Sequence, residues 1–257
     1  MKIKLFDVTM RDGLQDLDKI YTLDEKKELL DSIIKPYIQE YEIGSYPKLE
    51  YVPQMSNSTE LYKYAFEKYG NEKNFYMLIF NHYGLNICIQ NNINHLSFIT
   101  SYCDYFLSNN IKKSVQESLD FINHSLSLHK NIIGKVYLST FCGSLNINYD
   151  KDKLINMINT LLKYGVQNIT LSDTYSLLTP RLFKKICKDL ENEKYDFLLF
   201  SLHIHKNKHF KEIIEIGLRY HILKYDVSHI HSGGCVMVKC CNIGPNLHIN
   251  DIQEYIT

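Results

Sequence analysis

The chain has 257 residues, 45% of them hydrophobic and 23% charged, so it carries enough apolar surface to close one large core and lacks the make-up of a disordered chain. Lysine plus arginine equals aspartate plus glutamate at 29 each, which leaves no net field to draw nucleic acid or an anionic membrane. No stretch approaches the roughly 18 consecutive apolar residues of a membrane span, so neither nucleic acid nor membrane is an expected partner.

Short apolar runs alternate with helical periodicity almost from end to end. In chain order, strands are predicted at Ile3–Thr9, Ile38–Gly44, Asn74–Phe80, His95–Ser101, Lys135–Thr140, Asn168–Ser172, Phe197–His205 and Tyr225–Ile230. Between them, helices are predicted at Leu23–Ile34, Ser58–Lys68, Val115–His129, Lys151–Tyr164, Pro180–Asn192 and Phe210–Leu218, with a short last helix at Asn250–Ile256. Repeated βα units imply an α/β fold, and eight of them close a single (β/α)8 barrel, expected to span residues 1–257 as one catalytic domain. Chemistry in such a barrel lies at the C-terminal strand ends, and those positions select the residues to inspect.

The seven cysteines, at 88, 103, 142, 187, 235, 240 and 241, are odd in number and include no CxxC pair, which favours a reducing compartment. The chain enters its first strand without an apolar signal core or an Arg/Ser-rich leader, and its final Tyr-Ile-Thr is no peroxisomal or prenylation signal. The expected location is the cytoplasm.

Strand one ends in Asp-Val-Thr-Met-Arg-Asp-Gly-Leu-Gln, residues 7–15, which gathers two acids, an arginine and an amide around one turn. A surface Arg–Asp pair would give the same letters, but the position at a barrel mouth favours chemistry. Strand seven closes with Ser-Leu-His-Ile-His, and the two-residue period of a strand sends His203 and His205 to one face, a common way to hold a divalent metal. Strand six delivers Asp173, expected to face the mouth unless it only caps the following helix. After strand eight, Ser-Gly-Gly-Cys at 232–235 puts Cys235 on a glycine loop, where such a thiol is a buried filler, a redox site or a group that closes over substrate; the adjacent Cys240 and Cys241 are assigned no role.

Taken together and in this order, the motifs resemble the hydroxymethylglutaryl-CoA lyase branch of the metal-dependent lyase and synthase barrels. Arg-Asp-Gly-Leu-Gln at 11–15 looks like the family's opening signature, and Glu42 with Ser45 and Tyr-Val-Pro-Gln-Met at 51–55 looks like its second-strand region. Ser-Asp-Thr at 172–174, His-Ile-His at 203–205, Gly-Gly-Cys at 233–235 and Asn246 ahead of Asp251 continue the match to the C-terminus. The resemblance implies Asp12, His203, His205 and Asn246 as metal ligands, with Asn242 a rival for the fourth place, and Mg2+ or Mn2+ as the ion, zinc not being excluded. It implies Arg11 as the catalytic arginine, Glu42 orienting it, Asp173 and His203 as candidates for proton transfer, Cys235 on the closing loop, and Gln15 and Ser45 touching substrate.

The implied reaction is cleavage of 3-hydroxy-3-methylglutaryl-CoA, or a close analogue, to acetoacetate and acetyl-CoA. The rival readings are a related aldol-type lyase, an acyl-CoA condensing synthase of the isopropylmalate or homocitrate type, or a non-catalytic homologue. A homodimer is the expected assembly. Four departures stand against the family pattern: Val236 where a proline is usual, Lys206 where an acid is usual, Ser108 and Asn109 where bases meet the CoA arm, and a C-terminal part shorter than typical members.

Overall fold

The computed structural model describes residues 2–233 and 244–256. Parallel strands β1 (Lys4–Asp7), β2 (Glu40–Ser45), β3 (Asn74–Leu78), β4 (His95–Thr100), β5 (Ile133–Ser139), β6 (Asn168–Ser172), β7 (Phe200–His203) and β8 (Lys224–Val227) form a closed barrel. Each lies beside its sequence neighbours, and β8 returns to pair with β1 in the register Asp7↔Val227. This is the expected α/β barrel.

Around it run α1 (Leu23–Ile33), α2 (Ser58–Tyr69), α3 (His82–Gln90), α4 (Asp104–Asn110), α5 (Val115–Leu128), α6 (Lys151–Lys163), α7 (Pro180–Asn192) and α8 (Phe210–Arg219), followed by the short α9 (Ile249–Ile252). Their starts are written in the sequence: Thr22 and Ser114 form capping boxes with Glu25 and Glu117, and Thr179 caps α7 just ahead of Pro180. On α7 the buried residues are Phe183, Ile186, Cys187 and Leu190, one face at the helical repeat. They join the main core, where each large apolar side chain contributes about 1.5–3 kcal/mol.

Departures from the predicted elements are local. The first strand stops at Asp7 because Thr9–Gly13 winds into a π-helical turn. The predicted strand Phe197–His205 begins as a 3-10 turn at Phe197–Leu199 and ends at His203, leaving His205 beyond it in a bridge to Asn246. Two helices, α3 and α4, were not foreseen; they are short and bury only Gly84, Leu85 and Cys88, and Phe106 and Leu107, too few apolar positions to show a period.

Alternation along β5 decides what the barrel interior contains. Val136 and Leu138 join the main core, while Lys135, Tyr137 and Ser139 point the other way, inward. The interior is therefore partly ionic. That polarity prepares the mouth.

Candidate active site

The turn after β1 buries both Arg11 and Asp12, at 6% and 4% exposure. Arg11 Nε donates to Glu42 Oε2 and its Nη1 to Asp12 Oδ1, while the guanidinium carbon stands 5.3 Å from the Tyr137 ring centroid. Tyr137 donates its hydroxyl to the same Glu42 oxygen at 3.3 Å, and Gln15 Nε2 donates to Asp12 Oδ1 at 2.7 Å. Burial alone would lower the arginine's pKa, but Glu42 and Asp12 raise it above the ordinary value. Burial alone would raise the Asp12 carboxyl; Arg11 first, then His203 and His205, hold it at about 2. Both groups are charged at neutral pH.

His203 ends β7 and His205 follows two residues later, their ring centroids 5.3 Å apart. His203 Nδ1 lies 3.2 Å from Asp226 Oδ2, and its Nε2 lies 4.0 Å from Asp12 Oδ2. Burial first, then the neighbouring His203, push His205 down to about 4, so the His205 imidazole is neutral and keeps a lone pair. Asn246 Nδ2 donates to Asp12 Oδ2 at 2.8 Å. Its approach depends on Gly233, whose φ is +112° and where an added Cβ would stand 2.0 Å from Asn246 Nδ2.

Three polar atoms of the site are buried without a hydrogen-bond partner among the described residues: Glu42 Oε1 behind Arg11, and His205 Nδ1 and Asn246 Oδ1 beside Asp12. Leaving each unsatisfied costs about 1–3 kcal/mol, a cost that a bound cation would offset at the last two. Among the described residues no three His, Cys, Asp or Glu side chains form a ready cluster, so a shell here needs the Asn246 amide oxygen as well. A carboxylate, an amide oxygen and imidazole nitrogens form a donor set of the kind that holds a divalent cation. The residues fit a divalent metal.

Arg11, Asp12, Gln15, Ser45, His203 and His205 all line one cavity of about 510 Å3 at the C-terminal mouth. Glu42 is fully buried behind Arg11. Asp173 departs from the expectation that it faces the mouth: Ser172 and Thr174 line the cavity, and Asp173 turns away from it. Its Oδ1 accepts from Leu177 N at 2.8 Å and from the Cys142 thiol at 3.3 Å, and its Oδ2 accepts from Leu178 N at 3.0 Å. The carboxylate organises the turn into α7. Cys235, with Val236, Cys240, Cys241 and Asn242, lies outside the described residues.

Two of the departures noted in the sequence acquire a physical setting. The Lys206 ammonium pairs with Asp251 Oδ1 at 2.7 Å, so its charge is compensated beside the His pair. Ser108 and Asn109 spend their side chains on the carbonyl of Tyr105, and the cavity rim is formed instead by Lys112, with Lys48 and the 64%-exposed Tyr51 also lining it. Sequence reasoning missed Tyr137, Lys135 and Asp226. The signal was available for the first two, since a strand that alternates Lys, Tyr and Ser with Val and Leu, in a barrel whose outer face packs on helices, must send the polar set inward.

Fold and site together define a class, the (β/α)8 barrels that gather a buried arginine, acids and histidines at their C-terminal mouth. The chain belongs to the HMGL-like family, whose sequence profile matches residues 2–209. It is 25% identical over 194 residues to the human cytoplasmic 3-hydroxy-3-methylglutaryl-CoA lyase, covering 74% of this chain and 52% of that protein. It is 21% identical over 221 residues to (R)-citramalyl-CoA lyase of Chloroflexus aurantiacus, covering 80% of this chain and 68% of that one. The chain thus spans about half the length of the human relative it matches. Among solved structures, the HMG-CoA lyase of Bacillus subtilis superposes with a TM-score of 0.89 at 20% identity, over 99% of this chain and 87% of the other. An HMG-CoA lyase of Acinetobacter baumannii in complex with coenzyme A and 3-methylmalate gives 0.86 at 19% identity, over 98% and 84%.

Proposed function

We propose that this chain is a divalent-metal-dependent carbon–carbon lyase that cleaves 3-hydroxy-3-methylglutaryl-CoA, or a close 3-hydroxyacyl-CoA, to a keto acid and acetyl-CoA. The observation that carries the reading is the buried Arg11, held by Glu42 and Asp12 in one cavity wall with His203 and His205. Asp12, His203, His205 and Asn246 would hold the metal, which when bound lowers the pKa of the substrate's tertiary hydroxyl.

Of the two proton-transfer candidates, only His203 stands in the cavity wall, and with Nδ1 tied to Asp226 its Nε2 is the nitrogen that meets substrate. The hydroxyl proton passes to Nε2 when that nitrogen is not a metal ligand, in which case Asp12, His205 and Asn246 would hold the ion. The bond between the carbinol carbon and the carbon next to the thioester then breaks, its electron pair moving to the thioester oxygen as an enolate. Arg11 meets that oxygen with a permanent charge and a planar fork already oriented by Glu42. The proton held on His203 Nε2, returned to the enolate carbon, completes acetyl-CoA. Gln15 and Ser45 face the same cavity and contact the acyl group.

The CoA arm is assigned to the rim, where Lys48 and Lys112 supply charge for phosphates and Tyr51 a face for the adenine. A reducing, cytoplasmic location belongs to the same reading; Cys88, Cys103, Cys142 and Cys187 are free thiols. The test is to incubate the Mn2+-loaded protein with a panel of acyl-CoA thioesters, including citramalyl-CoA, and to measure acetyl-CoA release. No release from any 3-hydroxyacyl-CoA overturns the reading.

A further inference from the structure

The barrel interior holds an ion pair that the reaction outlined above does not use directly. Lys135 on β5 reaches across to Asp226 on β8, Nζ to Oδ1 at 2.7 Å, with side-chain exposures of 3% and 0%. The ammonium also sits 3.2 Å from the Phe6 ring centroid and 4.6 Å from that of Tyr137. Asp226 Oδ2 is turned the other way, to His203 Nδ1 at 3.2 Å.

Ammonium and ionised carboxylate have opposite and exclusive roles. Lysine Nζ can only donate, so Asp226 must accept from it, and an ionised carboxylate has only acceptors left for its second oxygen. Nδ1 of His203 must therefore carry a hydrogen. In a neutral imidazole that leaves the lone pair on Nε2, the nitrogen 4.0 Å from Asp12 Oδ2 and on the cavity side.

We propose that Asp226, clamped by Lys135, is a positioning residue that fixes the His203 tautomer and ring orientation and so presents Nε2 to the metal site. The proposal rests on the metal-lyase reading above, which it deepens by naming the support behind a ligand. Partners of this kind orient the ligand, and their loss typically costs about 10–100-fold in metal affinity. Stability alone is a poor reason for the pair, because replacing a buried ion pair with apolar groups is often neutral or stabilising.

The experiment combines imidazole 15N NMR of the native protein with Mn2+ titration followed by electron paramagnetic resonance. In the native protein His203 is expected to show a protonated Nδ1 and an unprotonated Nε2. Asp226→Asn should mix the tautomers and weaken Mn2+ binding by about 10–100-fold. Because that variant leaves Lys135 buried without its anion, the double variant Lys135→Met with Asp226→Asn is measured beside it; it should fold as well as the native chain by circular dichroism yet keep the weakened binding. A native His203 protonated on Nε2, or native Mn2+ affinity in the folded double variant, overturns the proposal. If the native protein binds Mn2+ but cleaves no thioester, the lyase reading falls while the tautomer result still stands.

Discussion

Replacing Arg11 by lysine keeps the charge and removes the fork. In the structure two of the guanidinium nitrogens are committed to two different buried carboxylates, Nε to Glu42 and Nη1 to Asp12. A lysine nitrogen is a single point, and it can hold one of them. If the ammonium goes to Asp12, which already has Gln15 at 2.7 Å and Asn246 at 2.8 Å, Glu42 keeps, among the described residues, only the Tyr137 hydroxyl at 3.3 Å; if it goes to Glu42, Asp12 loses one of three donors. An under-satisfied buried acceptor costs about 1–3 kcal/mol, and the variant should lose that much stability in urea unfolding.

The larger effect is on turnover. Loss of one oriented donor to a developing oxyanion costs about 100- to 1000-fold in kcat, roughly 2.7–4 kcal/mol. The assay is steady-state acetyl-CoA release, with kcat and KM resolved separately. An interaction made chiefly in the transition state lowers kcat and kcat/KM together. A variant with kcat within about threefold of native, or with only KM raised, would refute Arg11 as the enolate stabiliser.

Three further outcomes are expected. Asp173→Asn should place an amide against the backbone N–H groups of Leu177 and Leu178, lowering stability by about 1–3 kcal/mol while changing kcat less than tenfold; a loss of about 1000-fold with unchanged melting would restore a direct catalytic role. Lys26 is 3% exposed, donates to the carbonyls of Gln54 and Ser56, and is lowered by burial from 10.5 to about 8. The unfolded chain then binds more protons than the folded one between those values, so the contribution of Lys26 to stability rises from pH 8 to 10.5; urea unfolding of native and Lys26→Met protein should diverge in that direction, and a constant difference would refute the shift. Burial raises the thiols of Cys88 and Cys187 to about 12 and that of Cys142 well above the usual value, so these should alkylate slowly. Cys235 should label first and be protected by a substrate-like acyl-CoA; mass spectrometry showing Cys88 first, or no protection at Cys235, would remove the closing-loop role.

The sequence by itself determined the α/β barrel and the end of it that matters, because strand and helix periods are local properties and eight of them in alternation admit few closures. It also brought Arg11, Asp12, Gln15, Ser45, His203 and His205 to one mouth, since each sits at or just past a strand end. Tertiary structure alone decided which way side chains turn where the strand period breaks off. Asp173 lies one residue beyond β6, and whether it met the cavity or the α7 turn depended on the backbone amides of Leu177 and Leu178 coming within reach. Lys135 and Asp226 are 91 residues apart and pair only because β5 and β8 face each other across the closed barrel, a relation with no local trace. Asn246 reached Asp12 because Gly233 has no Cβ to stand in its path. Periodicity is read one neighbour at a time; the partner of a buried charge is set by barrel closure, which no single segment contains.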